Sequence, residues 1–200
     1  MVCVKEISSY ELSLYRDLIQ KTGSLIGAMQ MLRGAYTLAD GLWRIFTGEY
    51  PKGGGEHWNT SCSWKNGWNI PVGVTAFAED IFGNQLLVSP DSPAVRFWDH
   101  ESGDMIDLHV EPIELLETVL SNGISWIDSY PDNALDVALK RMSDVPETCH
   151  LHWITPLILG GEVQEKNTGM VERDSHLVGH AELWRQVSFF PPGTTIMAKP

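Results

Sequence analysis

The side chains best suited to chemistry in this chain of 200 residues are four histidines arranged as two close pairs. His150 and His152 flank a single residue, so on a β-strand both imidazoles would point to the same face. His176 and His180 are four residues apart, so on a helix they would share one face. Two such pairs offer enough nitrogen ligands for a zinc ion.

The surroundings of these histidines do not match a known metalloenzyme motif. Leu177 stands where the HExxH motif of metalloproteases has its catalytic Glu. Isolated histidine pairs are usually structural, so the sequence predicts no metal and no other cofactor. His150, His152, His176 and His180 are kept only as alternative metal ligands.

Two acidic clusters, Glu79-Asp80 and Asp99-His100-Glu101, are the other side chains that could divide acid and base roles. Both clusters end predicted strands, where acidic residues are ordinary turn and surface choices. No Gly-x-Ser-x-Gly nucleophile elbow occurs in the chain. The run of three glycines at 53–55 lacks the Lys-Ser/Thr of a phosphate-binding loop. We therefore predict no catalytic residue and no enzymatic activity.

The elements that must position these residues centre on residues 74–108. Four short apolar runs alternate there with tight acidic turns, which is typical of an antiparallel meander. Apolar residues at helical spacing predict helices before and after it. A first helix is predicted to begin near Tyr10, and Gly23 and Ser24 separate it from a second helix that ends at Gly34. After the meander, helices are predicted over 113–120, from Asp132 or Asn133 to Met142, and from Asp174 or Ser175 onward.

The remaining segments are less regular. Residues 49–67 are predicted to form a glycine-rich loop whose tryptophans pack onto the sheet, with a binding surface as the alternative. An apolar segment at 124–130, a buried strand or extended segment at 150–159 and a final strand at 194–198 are also predicted. No internal repeat or linker appears, so we predict one α+β domain over residues 1–200, with a curved antiparallel sheet flanked by N-terminal and C-terminal helices.

The net charge of −12 is concentrated in one part of the chain. Residues 79–147 contain fifteen acidic and three basic residues, and the rest of the chain is balanced. A field of one sign attracts oppositely charged partners and repels nucleic acid. The charge is therefore typical either of a soluble acidic surface or of a protein that binds a basic protein partner, and it argues against a nucleic-acid binder.

Composition also bears on the compartment. No apolar run approaches the ~20 residues of a membrane span, and the N-terminus lacks a secretory signal of the usual form. Three widely separated cysteines without CxxC spacing argue against a disulfide framework. We expect a cytoplasmic protein that does not associate with membranes.

The meander also carries a family resemblance. The segments Ala76 to Gln85 (AFAEDIFGNQ), Val95 to Gly103 (VRFWDHESG) and Ile113 to Glu117 (IELLE) resemble the SUKH superfamily, which includes bacterial immunity proteins and the yeast cell-wall assembly regulator. They are also similar to the C-terminal domain of type VI secretion immunity proteins. Gly41 to Arg44 and Thr155 to Glu162 extend this second similarity, which is strongest over residues 38–186.

The resemblance implies an α+β protein that binds and neutralises a cognate protein toxin. Many toxins of this kind are nucleases with basic clefts, which an acidic face can occupy. The expected partner-binding residues are the acidic turns of the meander with one aromatic anchor: Glu79, Asp80, Trp98, Asp99, Glu101 and Asp104. A regulatory or scaffold protein with another protein partner is the alternative, followed by a small metal-dependent hydrolase.

Overall fold

The computed structural model describes residues 4–39, 41–60, 63–122, 133–191 and 194. Its strands are β1 (Val4–Glu6), β2 (Ala35–Leu38), β3 (Trp43–Ile45), β4 (Thr75–Asp80), β5 (Gln85–Ser89), β6 (Ser92–Trp98), β7 (Met105–Asp107), β8 (Cys149–Trp153) and β9 (Thr168–Glu172). Its α-helices are α1 (Ser9–Thr22), α2 (Leu25–Met31), α3 (Gly55–Thr60), α4 (Ser63–Trp68), α5 (Pro112–Asn122), α6 (Ala134–Arg141) and α7 (Arg173–Val187).

Strands β1 to β7 form one sheet in which spatial order follows chain order. β1 and β2 are parallel, and every later neighbouring pair in this sheet is antiparallel. β8 and β9 form a separate antiparallel pair. The described residues form no closed barrel, so the predicted α+β fold with an antiparallel meander at residues 74–108 is confirmed.

Local sequence signals account for several helix ends. The Ser8 hydroxyl accepts a hydrogen bond from the Glu11 amide, and the Glu11 carboxylate accepts one from the Ser8 amide, which is a capping box. Gly23 then ends α1 in the left-handed conformation that glycine adopts without strain. α5 begins at Pro112, where the missing N–H removes no helical hydrogen bond.

A column of tryptophans connects three helices to strand β6, which is next to the edge strand β7. Trp64 stacks on Trp58 at 5.9 Å between ring centroids and lies 5.2 Å from Trp98, and Trp68 links Trp98 to Trp184. Trp58, Trp64 and Trp68 are buried. The prediction that they pack onto the sheet is confirmed, but the predicted loop at 49–67 contains α3 and most of α4, because burying these rings favours a compact helical path.

Other predicted segments also differ from the structure. The strand predicted at 150–159 ends at Trp153 and continues as a short 3₁₀ turn at Leu157–Leu159. The apolar segment at 124–130, and all but Thr194 of the final strand, lie outside the described residues. In the ranges that are described, no helix is long and apolar enough to cross a bilayer.

Candidate functional sites: a buried histidine cluster and an acidic edge

The end of β4 places a fully buried carboxylate among three cationic or ionisable groups. Glu79 Oε1 lies 2.5 Å from Arg173 Nη2 and 3.8 Å from Arg44 Nη1, and Glu79 Oε2 lies 3.2 Å from His150 Nε2. Burial alone would raise the pKa of Glu79, but Arg173, His150 and Arg44 outweigh it and lower that pKa to about 2. Glu79 is therefore an ionised structural anchor for β3, β8 and α7.

The neighbouring carboxylate, Asp80, organises the turn that follows β4. Its Oδ1 accepts hydrogen bonds from the backbone amides of Phe82, Gly83 and Asn84 at 2.8 to 2.9 Å. Its Oδ2 accepts a hydrogen bond from Asn84 Nδ2 at 2.7 Å. This turn fixes the amide group of Asn84, which points its oxygen toward the turn after β6.

Five histidines converge next to these carboxylates. His100 comes from the turn after β6, His150 and His152 from β8, and His176 and His180 from α7. The ring centroids of His100, His176 and His180 lie 4.7 to 4.9 Å apart, and those of His150 and His152 lie 5.3 and 5.7 Å from His176. All except His152, which is half-buried, are buried.

The hydrogen bonds of these rings are well defined. Asn84 Oδ1 lies 2.8 Å from His100 Nδ1 and accepts a second hydrogen bond from the His100 amide. His150 Nδ1 lies 3.1 Å from His176 Nδ1. Among the described residues, the Nε2 atoms of His100, His150 and His176 have no hydrogen-bond partner, although His150 Nε2 lies at ion-pair distance, 3.2 Å, from Glu79 Oε2.

Glu101 completes the cluster. Its Oε2 accepts a hydrogen bond from the Leu157 amide at 3.0 Å, whereas Oε1 has no hydrogen-bond partner within the described ranges. Oε1 lies 3.6 Å from His100 Nε2 and 3.7 Å from His180 Nε2. His100, His176 and His180 each offer one ligand atom, and these three atoms lie within 4.8 Å of one another.

Burial keeps the histidines neutral. It lowers the pKa of His180 to about 4, and together with the neighbouring histidines it lowers the pKa values of His100 and His176 well below 6.5. Burial raises the pKa of Glu101 to about 7. Neutral imidazoles with free lone pairs bind metal ions, and a carboxyl group with a pKa near neutrality can exchange protons.

A cavity of about 350 Å³ opens beside the cluster. His100, Glu101 and Asn84 line its polar side, and Phe82, Phe97, Trp153 and Leu157 contribute to its apolar side. His176 and His180 do not line it. The cavity therefore gives a small molecule or ion access to one side of the histidine cluster.

Four of the six residues expected to form a partner-binding surface are inside the protein. Glu79, Asp80, Trp98 and Glu101 are buried, so the prediction that they form a surface is wrong. The reason is topological: β8 and α7 cover the strand ends that carry the three carboxylates, and Leu151 donates a hydrogen bond to the Ile81 carbonyl. Trp98 is covered by Trp64 and Trp68 of α4. Asp99 is half-buried, and only Asp104 is exposed.

The two histidine pairs meet, as a zinc site would require, but His100 was not predicted to join them. The sequence signal was its position between two acidic residues directly after a strand. That signal also fits an ordinary surface turn, and only the packing of α7 against this turn distinguishes the two cases. Ring contacts link His100 to His176 and His180, which are remote from it in the chain.

The exposed acidic residues of the middle segment lie farther along the chain. The acidic edge comprises Asp104, Asp107, Glu111 and Glu114, all exposed. It covers β7, which is the last strand of the described sheet, and the first turn of α5. Ile106 lies within it and is 43% exposed. No Lys or Arg occurs between residues 104 and 117, although Arg96 lies opposite Asp107 in the strand ladder.

Comparisons with known proteins give a fold neighbour. No protein-family model matches the chain, and no curated protein matches it. The crystal structure of a protein from Agrobacterium tumefaciens is similar, with a TM-score of 0.54 and 13% sequence identity. The match covers 88% of this chain and 81% of the Agrobacterium chain. At this identity the similarity shows a shared α+β fold and nothing about activity.

Proposed function

We propose that this protein is a non-enzymatic immunity protein that neutralises a cognate bacterial toxin by binding it in the cytoplasm. The observation that carries the proposal is the acidic edge, where four exposed carboxylates follow one another along a sheet edge and the next helix. A surface of this charge favours a basic protein partner, such as a nuclease whose cleft binds polyanionic substrate.

The shape of this edge is suited to protein binding. In the part of the chain that the structure describes, β7 pairs with β6 alone, and an edge strand can accept a partner strand through its remaining backbone groups. Ile106 offers an apolar contact surrounded by charged groups, as protein interfaces often have. The resemblance of the meander to immunity proteins supports the same function, since β4 to β6 and α5 contain the residues that carry it.

Survival of toxin-expressing cells tests the proposed function. We expect that co-expression of this chain with the toxin encoded by a neighbouring gene rescues growth of a bacterial host. Equal killing with and without this protein would show that the immunity proposal is wrong. Rescue without physical association of the two purified proteins would also contradict it, because the proposal requires direct binding.

Two charge-reversal variants, one at the acidic edge and one elsewhere on the surface, test the proposed binding surface. The triple variant Asp104→Lys, Asp107→Lys and Glu111→Lys should slow association with the toxin at least about tenfold at low salt, and the difference should shrink as salt screens the charges. The matched control Glu162→Lys, Glu165→Lys and Glu182→Lys changes the net charge equally, at exposed positions near the C-terminus. If both variants lose association rate equally, the effect comes from net charge and the interface lies elsewhere.

A further inference from the structure

The histidine cluster contains two ring nitrogens, His100 Nε2 and His176 Nε2, and one carboxylate oxygen, Glu101 Oε1, that are buried without a hydrogen-bond partner among the described residues. Glu101 Oε1 lies between His100 Nε2 and His180 Nε2 at 3.6 and 3.7 Å. Both distances are too long for a hydrogen bond, so a proton shared with Glu101 does not account for this arrangement. The protonation of His100 and His176 follows from the partners on the other side of each ring.

For His100, the partner is Asn84. Asn84 Nδ2 donates to the Asp80 carboxylate, which orients the amide so that Oδ1 faces His100. An amide oxygen only accepts, so His100 Nδ1 must carry the proton. Neutral His100 therefore presents an unprotonated Nε2, and this is the buried atom that lacks a hydrogen-bond partner among the described residues.

For His176, the partner is His150. The carboxylate of Glu79, 3.2 Å from His150 Nε2, favours a proton on that nitrogen and leaves His150 Nδ1 as an acceptor. His176 Nδ1, 3.1 Å away, is then the donor. The unprotonated nitrogen of His176 is again Nε2, which is also buried without a hydrogen-bond partner in the described chain.

We propose that His100, Glu101, His176 and His180 bind a divalent transition metal ion, with zinc as the reference ion. Three imidazole nitrogens and one carboxylate oxygen form a ligand set typical of zinc and unlike the all-oxygen sites of magnesium or calcium. Ligand atoms in a tetrahedral zinc site are about 3.3 Å apart, given bonds of about 2.0 Å. The histidine ligand atoms, which lie within 4.8 Å of one another, must therefore approach by up to about 1.5 Å when the ion binds, and the Glu101 distances must shorten by less.

The surrounding groups match the outer shell of a metal site. Ligating histidines usually donate their second ring nitrogen to a carboxylate or carbonyl, which fixes the ring and its tautomer. Here Asp80 acts on His100 through Asn84, and Glu79 acts on His176 through His150. His150 is thus a positioning residue, because both of its ring nitrogens face other protein groups.

The ion would join two parts of the fold. His100 and Glu101 belong to the turn between β6 and β7, and His176 and His180 lie one helical turn apart on α7. The same two parts are already linked by a hydrogen bond of 2.8 Å from Trp184 Nε1 to the Ser102 carbonyl. Four protein ligands define a structural site, and the cavity that reaches His100 and Glu101 gives the ion an entry path.

Cobalt and zinc binding to the unaltered full-length protein provide the first test. After removal of metal with a chelator, Co²⁺ should bind with a stoichiometry of one and give the intense visible absorption of a tetrahedral site. Zn²⁺ should displace it and raise the melting temperature. Absence of the tetrahedral spectrum, together with an unchanged melting temperature in Zn²⁺, would overturn the proposal.

Imidazole nitrogen chemical shifts identify the ligands without any substitution. On addition of Zn²⁺, the Nε2 resonances of His100, His176 and His180 should move, while those of the exposed His57 and His109 should not. Shifts confined to the exposed histidines would mean adventitious surface binding and would refute the site. This readout remains decisive even where a substituted cluster fails to fold.

Substitutions then separate direct ligands from positioning residues. His180→Ala and Glu101→Gln should each weaken zinc binding more than tenfold, and Asn84→Ala should weaken it about tenfold to a hundredfold because it releases the tautomer of His100. His57→Ala, an exposed histidine on α3, is the matched control and should bind zinc normally. Unchanged affinity in folded His180→Ala and Glu101→Gln would overturn the assignment. The site and its tests are independent of toxin binding.

Discussion

Glu79 joins three elements of the fold, although its position at the end of a strand is typical of a surface residue. It is fully buried, and its carboxylate faces guanidinium groups from β3 and α7 and an imidazole from β8. The Arg173 guanidinium also lies 4.5 Å from the ring centroid of Trp58, which shields this ion pair from water. Buried charges persist only when they are paired, so each of these groups requires the others.

Replacement of Glu79 by Gln should therefore be strongly destabilising. The variant keeps the size of the side chain but leaves Arg173 and Arg44 without a counter-charge in the interior. We expect the free energy of unfolding to fall by about 3 kcal/mol or more in urea denaturation. Glu162→Gln, at an exposed side chain that forms a surface ion pair with Lys166, should have almost no effect. Similar stabilities of the two variants would contradict the structural role of Glu79.

His100 has the sequence context of an ordinary surface turn but is buried among other histidines in the structure. Its neighbours Asp99 and Glu101 are typical of a surface turn. In the structure, Asp99 caps its own turn by accepting hydrogen bonds from the Glu101 amide and the Ser102 hydroxyl. Glu101 instead turns inward, together with His100, toward α7.

Among the elements, the β4–β5 hairpin supports both the sheet and the histidine cluster. Its turn is closed by the carboxylate of Asp80, which binds three consecutive amides. Gly83 in this turn has φ +101°, a conformation that residues with a side chain rarely adopt. A Cβ at Gly83 would lie 2.8 Å from His150 Nδ1, so the turn packs directly against the ring that orients His176.

Gly83→Ala should thus combine backbone strain with a steric clash. Gly41 has a similar φ of +95° with no atom near its missing Cβ, so Gly41→Ala measures the strain alone. We expect Gly41→Ala to cost about 1 to 2 kcal/mol and Gly83→Ala to cost about 1 to 3 kcal/mol more. Urea denaturation of both variants measures the difference. Equal destabilisation would mean that the contact between the turn and His150 is not maintained in solution.

At the scale of the whole molecule, the exposed carboxylates of the acidic edge are separate from the ionisable groups of the interior. The acidic edge is hydrated and adds to the net charge of −12, which would steer a basic partner. The interior holds ionisable groups whose pKa values burial has shifted in both directions. The global stability of the protein therefore depends on pH mainly through the interior groups.

Acidification should destabilise the metal-free protein in two stages. The pKa values of His100, His176 and His180 lie below 6.5 in the folded state, so the unfolded chain binds more protons as pH falls from about 6.5 toward 4. The pKa of Glu79 is about 2 when folded and 4.5 as its ordinary value, so its contribution is lost between pH 4.5 and 2.

Protonation of Glu101 stabilises the folded state as pH falls, but this gain is smaller than the loss caused by the histidines. The pKa of Glu101 is about 7 in the folded state and 4.5 as its ordinary value. Its contribution to the free energy of unfolding is therefore complete below pH 4.5 and is lost as pH rises through 7. One proton on Glu101 is outweighed by those of three histidines, and each net proton changes stability by about 1.4 kcal/mol per pH unit. Urea midpoints measured in chelator should fall from pH 7 to pH 5. A rising midpoint over that range would contradict the buried, neutral state of the histidines.

The sequence by itself determined the fold class, the meander and five of the seven described α-helices, but not α3, α4 or strands β1, β2 and β9. The capping box at Ser8, the proline that begins α5 and the alternating runs of the meander act through contacts within a few residues, so local pattern is enough to predict them. Local pattern wrongly predicted a loop at residues 49–67. Helices form there because the burial of Trp58 and Trp64 outweighs the effect of a glycine-rich composition.

Only the tertiary structure decided which polar residues face water and which face each other. The acidic residues that end β4 and β6 have the same sequence signature as Asp104, yet β8 and α7 bury Glu79 and Glu101 and leave Asp104 exposed. The convergence of His100 with His176 and His180 likewise depends on the packing of α7 against a turn that is distant in the chain. The physical reason is that hydrophobicity and turn chemistry are local properties, whereas the partner of a buried charge is set by how complete elements pack.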